Sequence, residues 1–167
     1  FKIFLLYSIL TFFIFVILNL LSIRSFNSLN LAFTIISSGG FLPTNELSNI
    51  LTNNIQIIIF SLLLLFSYFS IFFSYNIVFI QKKNINFFYE DLHLIIYYCA
   101  VVLIFFLFSS FGNDFSKNLL SISSSMSNIG FSLNFEQSNL DIIYLILVII
   151  GGSFFSTSSG LRYIKIY

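Results

Sequence analysis

Tryptophan is absent from this chain of 167 residues, and proline, cysteine, histidine and methionine each occur once. Charge is nearly as scarce, at 8% of residues, where a soluble domain carries roughly a quarter. Each scarcity excludes something. A single cysteine, Cys99, rules out an internal disulfide and a cysteine-based metal site. A net charge of +1 provides no basic patch for nucleic acid. The one histidine, His93, follows Glu90-Asp91 at the start of an apolar run and reads as a helix-end group rather than a proton carrier. Glu136 and Asp141 have no basic partner close in sequence, so nothing sets them up as an acid–base pair. No glycine-rich phosphate loop ending in Lys-Ser or Lys-Thr is present, which excludes nucleotide hydrolysis by that route. The expectation is a protein that is not an enzyme, with no cofactor and no resident metal.

What is abundant is grease. Hydrophobic residues make up 58% of the chain, with 25 phenylalanines. So little charge cannot cover a surface in water, so the expected solvent is largely lipid. A bilayer core about 30 Å thick takes roughly 20 apolar residues as helix. Four stretches fit: Ile3 to Leu21, Ile55 to Ile80, Leu92 to Phe111, and Leu140 through Ile150 into Ile166 with an interruption. Ser67, Ser70 and Ser74 share one face of the second, where small residues let another helix approach. Lys2, Lys82, Lys83, Arg162 and Lys165 fall at one set of helix ends, and Arg24 and Lys117 at the other. The positive-inside rule then puts the first set in the cytoplasm, together with Glu90 and Asp91. Glu46, Asp114, Glu136 and Asp141 face outward, as solvated loop charge or as a cation-concentrating surface. The expected location is the cell inner (cytoplasmic) membrane, multi-pass. A start at Phe1 inside an apolar run reads as a piece of a longer protein, and the Phe, Ile, Asn and Ser bias as an AT-rich coding sequence.

Two polar segments interrupt this pattern at matching places. The first is Thr34-Ile35-Ile36-Ser37-Ser38-Gly39-Gly40-Phe41, and the second Ser124-Ser125-Met126-Ser127-Asn128-Ile129-Gly130-Phe131. Each follows a short apolar element, Phe26 to Ile36 or Phe115 to Met126, which is too short to span and reads as re-entrant or buried. Aligning Gly40 with Gly130 superposes the halves at an offset of 90 residues. The predicted fold is an all-α membrane protein of two tandem helix–pore helix–filter loop–helix repeats, residues 1–83 and 84–167. Internal repeats of this kind are a device of transport proteins.

Polar, glycine-bearing backbone at membrane depth is tolerated where it lines a cavity or is buried in protein. Backbone carbonyls there can replace the water shell of a monovalent cation. Short helices ahead of them would aim their negative C-terminal ends at that cation, with Phe41 and Phe131 packed behind. The simpler reading of one Gly-Phe is an ordinary turn, and the recurrence is what favours a filter. A third segment, Gly151-Gly152-Ser153-Phe154-Phe155-Ser156-Thr157-Ser158-Ser159-Gly160-Leu161-Arg162, puts small and hydroxylated residues where a spanning helix should be most apolar. It reads as a broken helix and a gate, or as close packing through small residues.

With Ser37-Ser38-Gly39-Gly40-Phe41, Asn128-Ile129-Gly130-Phe131, Phe88-Tyr89-Glu90-Asp91, and the glycine-rich segment ending in Arg162 and Lys165, the chain resembles the Trk/Ktr/HKT potassium transporter superfamily, closest to the TrkH type. The resemblance covers essentially the whole chain, as the second and third of four repeats around a pseudo-fourfold pore. It implies that Ser38, Gly39 and Gly40, with Ser127, Asn128, Ile129 and Gly130, line a filter for transported potassium. It further implies an intramembrane gating loop over 151–160, including Gly151, Gly152, Ser156, Thr157 and Gly160, with Arg162 and Lys165 at its cytoplasmic end in a gating or topological role. The implied partners are the lipid bilayer, a second copy in a homodimer, and a cytosolic nucleotide-binding regulatory subunit of TrkA type. Two other classes stand beside this: a proton-translocating subunit of a respiratory or ATP-synthase complex, and a purely structural membrane subunit. Proton translocation needs ionisable groups deep in the membrane, and the interiors of the four apolar stretches are nearly bare of them.

Overall fold

The computed structural model describes residues 1–70, 85–108, 115–133, 141–153, 156–158 and 160–161. These are all-α apart from one isolated bridge between Ile150 and Leu161. Six α-helices follow in order: α1 (Lys2–Leu20), α2 (Ser25–Ser37), α3 (Asn54–Tyr68), α4 (Ile85–Phe108), α5 (Phe115–Ser127) and α6 (Asp141–Ile149), with a 3-10 turn at Leu47–Asn49. Lys82, Lys83, Ser74, Asp114, Glu136, Phe154, Phe155, Ser159, Arg162 and Lys165 lie outside the described residues, so the expectations resting on them do too.

Four spanning helices were expected, and among the described residues only α1 is long and apolar enough to cross a membrane. The second long helix, expected to run to Ile80, stops at Tyr68 with Phe69 extended (φ −78, ψ 161). At 1.5 Å per residue its 15 residues reach about 22 Å. Ser70 therefore lies past the helix rather than on its face. The last apolar stretch gives a helix of only nine residues, α6, before the backbone leaves helical geometry at its glycines.

α1 buries Leu6, Leu10, Ile14 and Leu18, a strict i+4 stripe. Its other faces expose Phe4, Phe12, Phe13 and Leu20. α4 repeats the arrangement, with Leu94, Tyr98, Val101 and Phe105 inward and Leu103, Ile104 and Leu107 outward. Both helices are thus apolar on their inner and their outer sides.

α3 and α5 form the spine. They pack on each other, α1 and α2 pack together, and α6 packs on α5. One core cluster joins α1, α2 and α3 to Leu120, Ile129 and Phe131. A second joins Leu65 and Tyr68 of α3 to α4, to Leu119, Ile122 and Met126 of α5, and to Leu147. The core therefore runs across the boundary between the two sequence halves. Serine-rich α5 can be buried because its hydroxyls turn back on the helix: Ser121, Ser123 and Ser125 donate to the carbonyls of Lys117, Leu119 and Ser121, four residues earlier. At the entry to α3, Gln56 Oε1 accepts from the amides of Thr52 and Asn53, and Nε2 donates to Leu21 O at 2.8 Å. That side chain ties the start of α3 to the end of α1.

Candidate functional site: two glycine turns and a docked loop

The two short helices are equal in length and end identically. α2 and α5 each have 13 residues. Ser38 and Asn128, the residues that follow them, both adopt the left-handed conformation, at φ 51 and φ 58. In the first copy the amide of Ser38 donates to Ile35 O and that of Gly39 to Thr34 O; in the second, Asn128 donates to Ser125 O and Ile129 to Ser124 O. Every one of these atoms lies 90 residues from its counterpart. This is the Schellman manner of closing a helix, in which the otherwise orphaned last carbonyls are satisfied by amides that turn back. Gly40 and Gly130 then both take positive φ, +70 and +84.

These turns meet. A Cβ added to Gly40 would lie 2.5 Å from the carbonyl oxygen of Ile129. Gly130 is different, because a Cβ there would find nothing within 4 Å. Of the other expected filter residues, Ser38 is half-buried and Asn128 likewise, whereas Ser127 is buried and its hydroxyl donates to Ser124 O. The two phenylalanines part company. Phe131 is buried against Phe60 of α3, with ring centroids 5.8 Å apart. Phe41 was expected to pack behind its turn and is instead 78% exposed. Its carbonyl accepts from Thr34 Oγ1 at 2.8 Å, which aims the backbone inward and leaves the ring outside.

That threonine bond is one feature sequence reasoning missed, although the 90-residue offset could have exposed it. The counterpart of Thr34 is Ser124, whose Oγ is buried and makes no hydrogen bond among the described residues. A buried hydroxyl without a partner costs stability, whereas a paired one contributes about 1 kcal/mol. Thr34→Val should therefore destabilise the protein by about 1 kcal/mol. Ser124→Ala should be neutral or slightly stabilising, and chemical denaturation of the two variants side by side checks the asymmetry.

The glycine-rich segment folds back as a loop. Its neck closes where Gly151 N donates to Leu161 O and Leu161 N to Ile149 O, both at 2.9 Å. Its tip docks on the C-terminal end of α3. The amide of Ser153 donates to Tyr68 O and that of Ser158 to Ser67 O, each at 3.1 Å, while Thr157 Oγ1 also donates to Ser67 O at 3.3 Å. Gly152 lies against the same end, where a Cβ would overlap Tyr68 O. Inside the loop, Ser158 Oγ accepts from Gly152 N, and Ser156 Oγ donates to Ser153 O. Thr157 reaches further, with its Oγ1 3.3 Å from Ser38 Oγ in the first glycine turn. Since Thr157 donates to Ser67 O, Ser38 is the donor in this pair.

All three polar segments singled out in the sequence thus converge: the Gly40 turn on the Ile129 carbonyl, and the 151–158 segment on Ser38. Sequence reasoning did not anticipate that the acceptors holding the loop would be main-chain carbonyls of α3, since nothing in Ser67 or Tyr68 as residue types marks them. It also gave Asp91 no structural part. Asp91 is 1% exposed and accepts from Ser70 N at 2.9 Å and Ser70 Oγ at 2.8 Å. It precedes the apolar run of α4; burial pushes its carboxyl above the usual range, and the two Ser70 bonds pull it back. His93 Nδ1 lies 2.7 Å from Tyr89 O on the exposed face of α4; because α4 begins at Ile85, this histidine sits inside the helix and not at its end, where it was expected. Among the described residues no cluster of His, Cys, Asp and Glu could hold a metal.

No family model, curated protein or solved structure matches this chain.

Proposed function

We propose that this chain is part of a cation-conducting membrane protein, a potassium uptake transporter of the Trk type, with the two glycine turns contributing to its filter and the 151–160 segment acting as a gate beneath. The observation that carries this reading is the recurrence, 90 residues apart, of a 13-residue helix closed by a left-handed residue and followed by a positive-φ glycine. Those turns bring bare backbone together, Gly40 against the Ile129 carbonyl. Main-chain oxygens with no side chain between them are what a dehydrated monovalent cation needs. The last turns of α2 and α5 both lead into that place, and helix C-termini carry partial negative charge.

Location in a bilayer is supported by α1, long and apolar enough to span, and by outward faces of α1, α4 and α6 that carry phenylalanine, leucine and isoleucine. On this reading four pore-lining units surround one axis and this chain supplies two of them. A homodimeric assembly and a cytosolic nucleotide-binding regulator belong to the same proposal, by resemblance. The other membrane-subunit readings leave the paired turns without a role.

Flux from potassium-loaded liposomes containing the complete protein tests the proposal. The expected result is potassium release that is faster than from protein-free vesicles and is reduced by substitution at Gly40. Vesicles that hold their potassium as well as empty ones would overturn it.

A further inference from the structure

The end of α3 is a place where two hydrogen-bonding arrangements compete. In an uninterrupted helix each amide bonds the carbonyl four residues earlier. Ser70 N would then take Phe66 O, and the amides of residues 71 and 72 would take Ser67 O and Tyr68 O. The apolar run continues to Ile80, so the local sequence offers no reason to stop. Yet the last helical bond recorded at this end is Phe69 N to Leu65 O at 3.1 Å, and Ser70 N turns instead to Asp91 Oδ1. A hydrogen bond to a carboxylate is roughly twice as strong as one between neutral groups, and Asp91 takes the Ser70 hydroxyl as well. Both residues are buried, so water does not compete for these bonds.

Stopping the helix has a consequence for the loop. The carbonyls of Ser67 and Tyr68 are the ones that hold Ser158, Thr157 and Ser153. A carbonyl has two lone pairs, but a further helical turn would occupy the volume now filled by Gly152, which rests directly on Tyr68 O. An extended α3 and a docked loop are mutually exclusive.

We propose that Asp91 is a positioning residue: by taking the amide of Ser70 it stops α3 at Tyr68, and so keeps the Ser67 and Tyr68 carbonyls available to hold the 151–158 segment. Because Thr157 also bonds Ser38, the state of the α3 end is transmitted to the first glycine turn. This goes beyond the conduction reading and does not depend on which ion, if any, the protein carries.

Amide hydrogen exchange on the complete protein in nanodiscs tests it. In Asp91→Ala, peptides covering residues 151–158 should exchange about tenfold faster, the equivalent of one lost charge-assisted bond, while α2 and α5 stay protected. Asp91→Asn, which can still accept from Ser70 N and bond Ser70 Oγ but only through neutral hydrogen bonds, should fall between Asp91→Ala and wild type. The decisive variant is the double substitution Asp91→Ala with Ser70→Pro. Proline has no amide to give Phe66 O and favours an extended residue before it, which Phe69 already is. It should restore the break, and loop protection with it. Unchanged exchange in Asp91→Ala overturns the proposal. So does a folded double variant whose loop stays exposed, and that readout stands even if Asp91→Ala alone does not fold.

Discussion

Gly40→Ala should abolish potassium uptake, while Gly130→Ala should reduce it only in part. Two effects add at Gly40. Its φ of +70 lies where an L-residue is strained, and the new methyl would press to 2.5 Å from Ile129 O. Strain in the left-handed region costs on the order of 1 kcal/mol, and the contact cannot be relieved by a rotamer change because its other partner is backbone. Either the Gly40 turn or the Ile129 carbonyl must move, and both belong to the proposed filter. Carbonyl coordination is sensitive to such displacements because the oxygens stand in for a hydration shell. At Gly130 the φ of +84 brings strain, but nothing lies within 4 Å of the added Cβ. Rubidium or potassium uptake by cells carrying each full-length variant, with membrane levels matched by immunoblot, reads the ranking. Equal activity of Gly40→Ala and wild type would remove the case for a filter at this position.

Gly152→Ala should act in the opposite direction, releasing the loop and raising cation leak. Its Cβ would overlap the Tyr68 carbonyl and lie 2.5 Å from Ser158 Oγ and 2.9 Å from Ser156 Oγ. The hydroxyls can rotate away, but Tyr68 O is main chain at the end of a packed helix. The loop must then lift from α3, which breaks the Ser153 and Ser158 amide bonds and the Thr157 contact together. Overpacking of a tight site costs about 1–3 kcal/mol, comparable to the two or three neutral hydrogen bonds that hold the loop. The expected readouts are a lower melting temperature and, in liposomes, a potassium leak several times that of wild type. A variant with unaltered stability and leak would mean that the loop is not held by this contact. The opposite signs at Gly40 and Gly152 separate a filter from a gate, since general misfolding would lower both activities.

How much of this was legible in advance differs from element to element. The two short helices were readable to within a residue or so, because their ends are set by local chemistry: a run of apolar residues, then Ser-Gly-Gly or Asn-Ile-Gly, which the chain closes through amides only three and five residues away. The interruption after Ile149 was readable for the same reason, from its paired glycines. The end of α3 was not. Hydropathy carries the helix on to Ile80, and what stops it is a carboxylate 21 residues further along the chain. Phe41 was misplaced because a Gly-Phe pair looks alike in both copies, while the two copies have different surroundings: α3 presents Phe60 to Phe131, and among the described residues no equivalent ring meets Phe41.

Composition and local pattern alone determined the all-helical class, the apolar surface, the two capped short helices and the glycines at which the chain turns. Those properties follow from hydration and from backbone geometry within a few residues, and both are written along the chain. Only the tertiary structure decided that the Gly40 turn rests on Ile129, that the serine-rich loop hangs from two main-chain carbonyls of α3, and that Asp91 is buried against Ser70. Such contacts depend on which helices lie side by side, and a main-chain acceptor, being common to every residue, leaves no trace in the sequence.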